Sequence, residues 1–278
     1  MTEPEIVVLS DIQTVSDEAA GRIAAALAGA AEERGAAHWA TTGGSTPAPI
    51  YARLATEPLR PTVPWGAVHL WFTDERFVAL DHKLSNAKIA FDSLLHAGAM
   101  GGMTGMGGTG ADVLTGETYG APIPGGNVHP IRTGEAIGQA EDAAWCAARA
   151  VEELHASGPP VADGWPAFDL ILVGVGPDGH LFSVFPGSET FDRDEWVLAV
   201  PAPSHVEPHV ERVTLNPRIL DAARQVIVVV TGEGKKDVIA RIFGEERDPR
   251  RLPAQLALRE GATWILDEAA AGSLPRRP

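Results

Sequence analysis

Short runs of apolar residues alternate along this chain with longer segments in which apolar residues recur at helical spacing. This alternation is typical of βαβ units and predicts an α/β protein built around a largely parallel sheet. The predicted strands are Ile6–Leu9, Ala37–Thr41, Val68–Phe72, Leu170–Val175, Val197–Val200, Val213–Leu215, Val226–Val230 and Trp264–Leu266.

The segments between these strands are predicted to be helical. Ser16 is expected to open the first helix, with Asp17 and Glu18 in its first turn, where carboxylates complement the helix dipole. An alanine-rich run then continues to Arg34, and the helix is expected to stop at Gly35. Further helices are predicted to begin near Pro47, Ser85, Glu135, Gly234 and Pro253.

The segment from Gly98 to Gly126 is dense in glycine and has no apolar period, which predicts a long surface loop. The sequence shows no internal repeat and no linker between two cores. We therefore expect a single domain over residues 1–278.

The charge balance limits the partners of the protein. The chain has 22 Lys and Arg against 37 Asp and Glu, a net charge of −15. A chain this acidic repels nucleic acid and anionic membrane as a whole, so a few positioned basic groups must hold any phosphate that it binds. We expect a small-molecule partner, without nucleic acid or membrane.

Cysteine content and hydropathy indicate the compartment. The single Cys146 excludes a disulfide framework and is expected to be a small buried residue on a helix. No stretch approaches the roughly 20 apolar residues of a membrane span, and the N-terminal residues are acidic where a secretion signal is positive. These features predict a soluble, cytoplasmic protein.

Ligands of open parallel sheets collect at the carboxyl ends of the strands, so the residues that follow each strand are the first candidates. Gly43, Gly44, Ser45 and Thr46 lie between a predicted strand and a predicted helix. Glycines allow close approach of the backbone, and a helix N-terminus supplies free N–H groups that favour an anion. A phosphate cradle and an ordinary β-to-α turn are equally consistent with this segment, and a Walker loop is excluded because no lysine follows the second glycine.

A second polar segment follows the strand that ends at Phe72. Its position favours Asp74 and Arg76 pointing into a cleft, where Arg76 is suited to bidentate contact with a phosphate or carboxylate. The alternative is a solvated turn. Ser85 and Asn86 open the next predicted helix, and capping is the simplest explanation for either residue.

The most specific segment is Gly176-Pro177-Asp178-Gly179-His180. Together with Gly174 it satisfies a G-x-G-x-x-G pattern, but the proline inside it and the absence of a ribose-binding acid after the next strand disfavour a dinucleotide site. A tight loop that presents Asp178 and His180 together is the better interpretation, because histidine can transfer protons near pH 7. A structural turn remains the alternative.

Basic residues also adjoin the later strands. Arg212, Lys235 and Lys236 are candidates for phosphate contacts, with solvated surface charge as the alternative. The alternation of His205, Glu207, His209 and Glu211 could imitate a metal site in an extended segment, but the neighbouring prolines favour a connector, and no metal is expected.

In their order along the chain, these segments resemble the 6-phosphogluconolactonase family, within a superfamily that also contains glucosamine-6-phosphate deaminases. The resemblance covers about residues 10–270 and implies a modified Rossmann-like fold with helices on both faces of the sheet. The segments that carry it are Gly43-Gly44-Ser45-Thr46-Pro47, Asp74-Glu75-Arg76, Ser85-Asn86, Gly176-Pro177-Asp178-Gly179-His180, Arg212-Val213-Thr214-Leu215 and Gly232-Glu233-Gly234-Lys235.

The resemblance implies hydrolysis of 6-phosphogluconolactone to 6-phosphogluconate, without a metal or an organic cofactor, by a monomer or small homo-oligomer. In this hypothesis His180 takes a proton from the attacking water and returns it to the ring oxygen, while Asp178 or Asp74 orients His180. The implied substrate-binding residues are Gly43, Gly44, Ser45, Thr46, Arg76, Asn86, Arg212 and Lys235.

Two alternatives belong to other classes. Deaminases have Asp-Glu-Tyr where this chain has Asp74-Glu75-Arg76, and a glutamate where it has Phe185, so the lactonase branch is favoured. A non-catalytic sugar-phosphate sensor is disfavoured by the presence of both Asp178 and His180. One departure concerns the pocket, because Leu181 and Phe182 stand where lactonases commonly have threonine and alanine.

Overall fold

The fold is known from a computed structural model, which describes residues 3–44, 46–96, 120–272 and 274. Its main sheet has seven strands, all paired in parallel, which confirms the predicted largely parallel sheet. Its strands are β1 (Glu5–Leu9), β2 (Ala37–Thr41), β3 (Val68–Phe72), β5 (Val128–His129), β8 (Leu170–Val173), β11 (Gln225–Val230) and β12 (Ala262–Asp267). They lie in the order β1-β12-β11-β8-β2-β3-β5. A short antiparallel pair, β6 (Val161–Ala162) and β7 (Trp165–Pro166), is separate from this sheet.

A second, antiparallel sheet joins the main one at Thr73. Its order is β4-β10-β9, and β4 (Asp74–Arg76) directly follows β3, while β9 (Val197–Val200) and β10 (Arg212–Leu215) are the other two strands. Thr73 donates its N–H to Thr41 of the main sheet, and its carbonyl accepts from Leu215 of the second. The predicted strands at 197–200 and 213–215 therefore exist, but outside the parallel sheet, because apolar runs this short do not specify their partners.

The first helix begins four residues earlier than predicted. Helix α1 (Ile12–Arg34) is capped by Asp11, whose side chain accepts from the N–H groups of Gln13 and Thr14. Ser16 is buried inside the helix, where its hydroxyl donates to the Ile12 carbonyl at 2.6 Å. The side chain of Asp11 satisfies two of the first free N–H groups. Because the helix begins at Ile12, Asp17 and Glu18 do not lie in its first turn as predicted, and that turn contains no acidic residue. The predicted stop at Gly35 is confirmed by its φ of +78°.

The remaining predicted helices lie where they were predicted, but two of them begin as or consist of 3₁₀ helix. The segment at Pro253 is a 3₁₀ helix (Pro253–Ala257), and another 3₁₀ turn (Glu233–Lys235) precedes the helix expected near Gly234. The other α-helices are α2 (Pro47–Leu54), α3 (Asn86–Ala90), α4 (Thr133–Gln139), α5 (Ala143–Ser157), α6 (Ile219–Ala222), α7 (Lys236–Gly244) and α8 (Glu268–Ala271).

Apolar side chains cover both faces of the main sheet. Helices α1, α2 and α3 pack on one face, around Trp39 and Leu70. Helices α5 and α7 pack on the other face, around Trp264. Cys146 is buried there on α5, as predicted. No helix in the described residues is both long and apolar enough to cross a membrane.

The predicted surface loop at 98–126 falls mainly on residues 98–119, which lie outside the described residues. The described end of this segment departs from the prediction. Ala121 and Ile123 are buried in the core beside α3, and the carbonyl of Gly120 accepts from the Arg60 Nε. The high glycine content of the segment predicted a surface loop throughout and gave no sign that Ala121 and Ile123 are buried.

Three histidines form a stack across the strands β2, β3 and β5. The rings of His38 and His69 lie 4.7 Å apart, and His69 is hydrogen-bonded to His129 at 3.1 Å. The indole N–H of Trp71 donates to Nδ1 of His38 at 3.3 Å, which requires that nitrogen to be unprotonated. Burial, and then the charges of His69 and His129, lower the pKa of His38 from 6.5 to about 4.

This lowered pKa makes stability depend on pH. Because the pKa of His38 is lower in the folded state, protonation favours the unfolded chain. The folded state is therefore not penalised by His38 above pH 6.5, and its free energy of unfolding falls as the pH decreases from 6.5 towards 4. Between pH 7 and pH 5 we expect His38 to remove about 2 kcal/mol from the free energy of unfolding. In urea titrations, the decrease in the free energy of unfolding from pH 7 to pH 5 should be smaller by about this amount in His38→Gln than in the wild type. His155 is exposed, so His155→Gln should show the same decrease as the wild type. Equal losses in all three proteins would contradict the assignment.

Candidate active site

The loop after β8 is a tight turn that brings an aspartate against a histidine. The N–H of Gly176 donates to the carbonyl of His180 at 2.9 Å, and Gly179, with a φ of +88°, donates to the carbonyl of Gly176 at 3.1 Å. The ring Nδ1–H of His180 donates to Oδ1 of Asp178 at 2.5 Å. A carboxylate only accepts, so this bond fixes the tautomer and leaves Nε2 of a neutral His180 as a proton acceptor.

Gly176 is required because the imidazole lies directly over it. A Cβ at this position would stand 2.0 Å from Cε1 of His180 and 2.1 Å from Nδ1. By contrast, a Cβ at Gly174 would meet nothing within 4 Å. The glycines of this loop therefore differ in role, and Gly176 is the one that admits the histidine ring.

The same loop lacks the geometry of a dinucleotide site. A bridge between Leu181 and Val184 and a 3₁₀ helix (Glu189–Asp192) follow His180. Residues 174–188, all of which the structure describes, contain no α-helix whose N-terminus could receive a pyrophosphate. This agrees with the sequence interpretation. Strand β8 also ends at Val173, two residues earlier than predicted, which places Gly174 and Val175 in the loop.

The charge of Asp178 is stabilised from several sides. Burial acts to raise the pKa of Asp178, but the hydrogen bond and charge of His180, with a further bond from His205, outweigh it and hold that pKa well below its ordinary value. Lys235 lies beside the loop, where its Nζ donates to the carbonyl of Val175 at 2.7 Å. Burial lowers the pKa of Lys235, against the charge of Asp178. The site therefore holds a carboxylate, an imidazole and an ammonium close together.

Asp74 lies on β4 and faces partners other than His180. Its Oδ1 accepts from Thr73 and from Nδ2 of Asn86, and its Oδ2 accepts from the hydroxyl of Ser183 at 2.7 Å. The proposed orienting contact with His180 is thus made by Asp178, whereas Asp74 reaches the histidine loop only through Ser183. Ser183 was not among the sequence candidates, although it follows His180 by three residues.

Asn86 is held against the first glycine turn. Its Nδ2 also donates to the Asp74 carbonyl at 2.9 Å, and a Cβ on Gly43 would stand 1.9 Å from its Oδ1. This buried Oδ1 has no hydrogen-bond partner among the described residues. Ser85 caps α3 by accepting from Lys88, so the capping interpretation holds for Ser85 but does not account for the Asn86 side chain.

Glu75, which carried no predicted role, fixes the position of α3. It is fully buried and accepts from the N–H groups of Arg76, Asn86 and Ala87 and from the hydroxyl of Ser85. Burial raises the pKa of Glu75, and these four hydrogen bonds oppose that shift. The carboxylate thereby ties the start of the helix to β4, and with it the amide of Asn86.

Two arginines form a cross-strand pair at the edge of the second sheet. Arg76 and Arg212 are paired in the antiparallel register of β4 and β10, so they project from the same face. Arg76 donates to the carbonyl of Leu84, and Arg212 donates to those of Pro208 and Val210. Burial and then the charge of Arg76 lower the pKa of Arg212, and Nε of Arg76 has no partner within the described part of the chain. Two neighbouring guanidinium groups favour an anion between them.

Phe185 connects this arginine pair to the histidine loop. Its ring centroid lies 4.8 Å from that of His180, and the guanidinium carbon of Arg212 lies 6.0 Å from the Phe185 ring. The structure therefore brings Asp178, His180, Arg76 and Arg212 into one region. Lys235 joins it from the opposite side of the Asp178 loop.

The first glycine turn borders the same region through Asn86. Gly44 adopts a φ of +96°, and Thr46 precedes α2 without making a side-chain cap. Pro47 occupies the first helical position, where a missing N–H costs nothing. Ser45, the remaining predicted residue of this turn, lies outside the described residues.

The segment 201–211 is a connector between β9 and β10, as the prolines indicated. His205 turns toward Asp178, whereas His209 donates from Nδ1 to the carbonyl of Pro203 at 2.7 Å. Across the described ranges no three histidine, cysteine or acidic side chains are grouped to hold a metal ion. The alternation of histidines and glutamates therefore does not produce a metal site there.

Leu181 and Phe182 do not line the site beside His180. Both side chains are buried in the core on the α5 side of the sheet, and Phe182 reaches it with a φ of +52°. The bulk of these two side chains is therefore accommodated in the core.

The chain is similar throughout its length to known proteins. A family model described as glucosamine-6-phosphate isomerases/6-phosphogluconolactonase matches residues 10–265. The 6-phosphogluconolactonase of Synechocystis sp. is 30% identical over 272 residues, which cover 98% of each chain. That of Mycobacterium bovis is 30% identical over 273 residues, covering 97% of this chain and 98% of the other.

Solved structures extend this likeness to the fold. The 6-phosphogluconolactonase from Trypanosoma brucei is 28% identical, with a TM-score of 0.77 over 99% of this chain and 100% of the other. A monomeric glucosamine-6-phosphate deaminase, 16% identical, has a TM-score of 0.70 over 96% of this chain and 98% of the other, and shares the fold alone.

Proposed function

Since the chain belongs to the family of glucosamine-6-phosphate isomerases and 6-phosphogluconolactonases, we propose that it hydrolyses 6-phospho-D-glucono-1,5-lactone to 6-phosphogluconate, a step of the oxidative pentose phosphate pathway. Relatives that are 28–30% identical over nearly the whole chain are 6-phosphogluconolactonases, which supports this branch of the family. The single observation that carries the reaction is the Asp178–His180 pair beside two clustered arginines.

His180 acts as the general base in this proposal. Its Nε2 takes a proton from water while the water oxygen bonds to the lactone carbonyl carbon. Collapse of the tetrahedral intermediate breaks the bond between that carbon and the ring oxygen, which receives the proton back from Nε2. Asp178, bonded to Nδ1, orients the ring and stabilises the imidazolium that forms between the two steps.

The phosphate is held at the cationic end of the site. Arg76 and Arg212 supply the paired guanidinium groups, and Lys235 adds a third positive charge near the loop. Fixing the remote phosphate places the carbonyl against His180, so part of the binding energy serves orientation.

The glycine turn completes the substrate contacts that we propose. The free Oδ1 of Asn86 and the backbone of Gly43 and Gly44 offer groups for the sugar hydroxyls or the developing oxyanion. Ser45 and Thr46 are assigned to the same contacts on the basis of their position. Asp74 positions Asn86 and Ser183 in this account and does not contact the reacting atoms.

The deaminase alternative is disfavoured at one position. Where deaminases have a glutamate, Phe185 places an apolar ring against His180, and no carboxylate stands in its place. We further propose a cytoplasmic monomer or small homo-oligomer that acts on a small molecule, without nucleic acid or membrane. The net charge of −15 supports the last two exclusions.

The phosphate assignment is tested by comparing two lactones. We expect Arg76→Gln to raise KM for the phosphorylated lactone by about 10–100-fold, because a charge-assisted contact is lost. The same variant should hydrolyse unphosphorylated glucono-1,5-lactone within about twofold of the wild-type rate, since that substrate never uses the contact.

Arg218→Gln is the matched control, because Arg218 is exposed and pairs with Asp194. Its kinetics should equal those of the wild type with both lactones. An equal loss on both lactones in Arg76→Gln would show that Arg76 supports the fold of the site and does not bind phosphate.

A further inference from the structure

Asp178 divides its carboxylate between two histidines from different segments. Oδ1 accepts from His180, and Oδ2 accepts from Nε2–H of His205 at 3.0 Å. His205 belongs to the connector 201–211, 25 residues beyond His180, so the bond is not a local turn contact. Each oxygen of the orienting carboxylate thus has its own imidazole donor.

The connector is itself held at the site. Arg212 donates from Nη2 to the carbonyl of Pro208 at 2.8 Å and from Nε to that of Val210 at 3.1 Å. His209 closes the loop on Pro203. The connector is therefore tied to the arginine pair at one end and, through His205, to Asp178.

Phe185 separates the two imidazoles and contacts both. Its ring packs 4.8 Å from His180 and edge-on, at 5.7 Å, to His205. The side chain of His205 is half-exposed, so its position depends on its contacts with Asp178 and Phe185 and not on burial. Hydrogen bonds from His180 to Oδ1 and from His205 to Oδ2 thus restrain both oxygens of the Asp178 carboxylate.

We propose that His205 is a positioning residue for the lactone hydrolysis, which holds Asp178 and thereby the Nδ1–H tautomer and orientation of His180. This rests on the proposed function. His205 does not contact the reacting atoms in this account. Its loss leaves Asp178 with donors from His180 alone, the ring Nδ1–H and the backbone N–H, both on Oδ1. With Oδ2 free, the carboxylate can rotate away from the position that His180 requires.

Kinetics of three variants test the role. We expect His205→Ala to lower kcat about tenfold with KM unchanged within about twofold, because outer partners orient the groups that react. His205→Gln should recover most of the activity, since its amide N–H can replace Nε2–H. In an Asp178→Asn background, His205→Ala should add less than about a twofold further loss.

His209→Ala is the matched control on the same connector. It removes the internal bond to Pro203 and leaves the contact with Asp178, so its kcat should equal that of the wild type. A loss in His209→Ala equal to that in His205→Ala, or an undiminished effect of His205→Ala in Asp178→Asn, would overturn the proposal. A rise in KM alone would also overturn it, by assigning His205 to substrate binding.

An NMR measurement keeps this test separate from the proposed reaction. Nitrogen-15 spectra of the His180 ring should show one Nδ1–H tautomer in the wild type and in His209→Ala, and a mixture in His205→Ala. Unchanged spectra in His205→Ala would overturn the positioning role even if the lactone is not the substrate. Failure of the wild type to hydrolyse the lactone, with the spectra as expected, would overturn the reaction alone.

Discussion

His180→Gln is expected to lower kcat/KM for 6-phosphogluconolactone by about 10²–10⁴-fold, the usual contribution of a positioned acid–base group. The amide of glutamine has no basic nitrogen, so it cannot take a proton from water. The loss should therefore fall on kcat, with little change in KM. Initial rates corrected for spontaneous hydrolysis provide the measurement.

The control is His155→Gln, which removes an exposed histidine from α5. It should retain wild-type kinetics. Thermal melting should be similar for both variants, because the ring of His180 is partly exposed and its loss opens no core cavity. Wild-type activity in His180→Gln would remove the histidine from the mechanism.

Gly176→Ala is expected to reduce kcat/KM by about 10²-fold or more, although it removes no polar group from the site. The added Cβ would stand 2.0 Å from the His180 ring, so the imidazole must leave its position against Asp178. A misplacement of about 1 Å in a reacting group costs about this much. The measurement is again the corrected initial rate, with circular dichroism to check the fold.

Gly174→Ala supplies a matched comparison in the same loop. Neither glycine has a positive φ, and only Gly176 has a close neighbour in its Cβ direction. Gly174→Ala should stay within about twofold of the wild type. Equal activity in the two alanine variants would contradict the position assigned to the His180 ring.

The fold was largely predictable because its strands are short apolar runs between helical segments. The eight predicted strands are all present, but two of them form a separate antiparallel sheet with β4. An apolar run reports burial and not the direction of its neighbour, so pairing could not be read from the pattern. The prediction of a single domain over residues 1–278 stays a prediction.

Helix starts were less predictable than strands. Ser16 and Asp11 are both good capping residues, and the choice between them depends on where the backbone leaves β1. The five-residue helix at Pro253 is a 3₁₀ helix, and its Gln255 side chain turns inward to bond the Ile242 carbonyl and the Asp248 N–H. Such tertiary bonds leave no local signal.

The candidate site also combines residues whose proximity the sequence predicts with residues whose roles depend on tertiary contacts. Asp178, His180 and Arg76 follow strands of the parallel sheet, so their proximity could be inferred from chain order. Arg212 begins β10 of the antiparallel sheet, and its place opposite Arg76 could not be inferred in this way. Ser183, Glu75 and His205 could not, because their roles depend on which side chain stands opposite. His205 in particular read as part of a proline-rich connector, and its contact with Asp178 appears only in three dimensions.

The central claim is that this site accelerates the hydrolysis of a phosphorylated lactone. The most direct measurement follows 6-phosphogluconolactone, generated in situ by oxidation of glucose 6-phosphate, in a buffer that slows its spontaneous decay. We predict that catalytic amounts of the protein accelerate the decay in proportion to enzyme concentration and release no ammonia from glucosamine 6-phosphate. Decay at the spontaneous rate, whether or not ammonia is released from glucosamine 6-phosphate, would contradict the account.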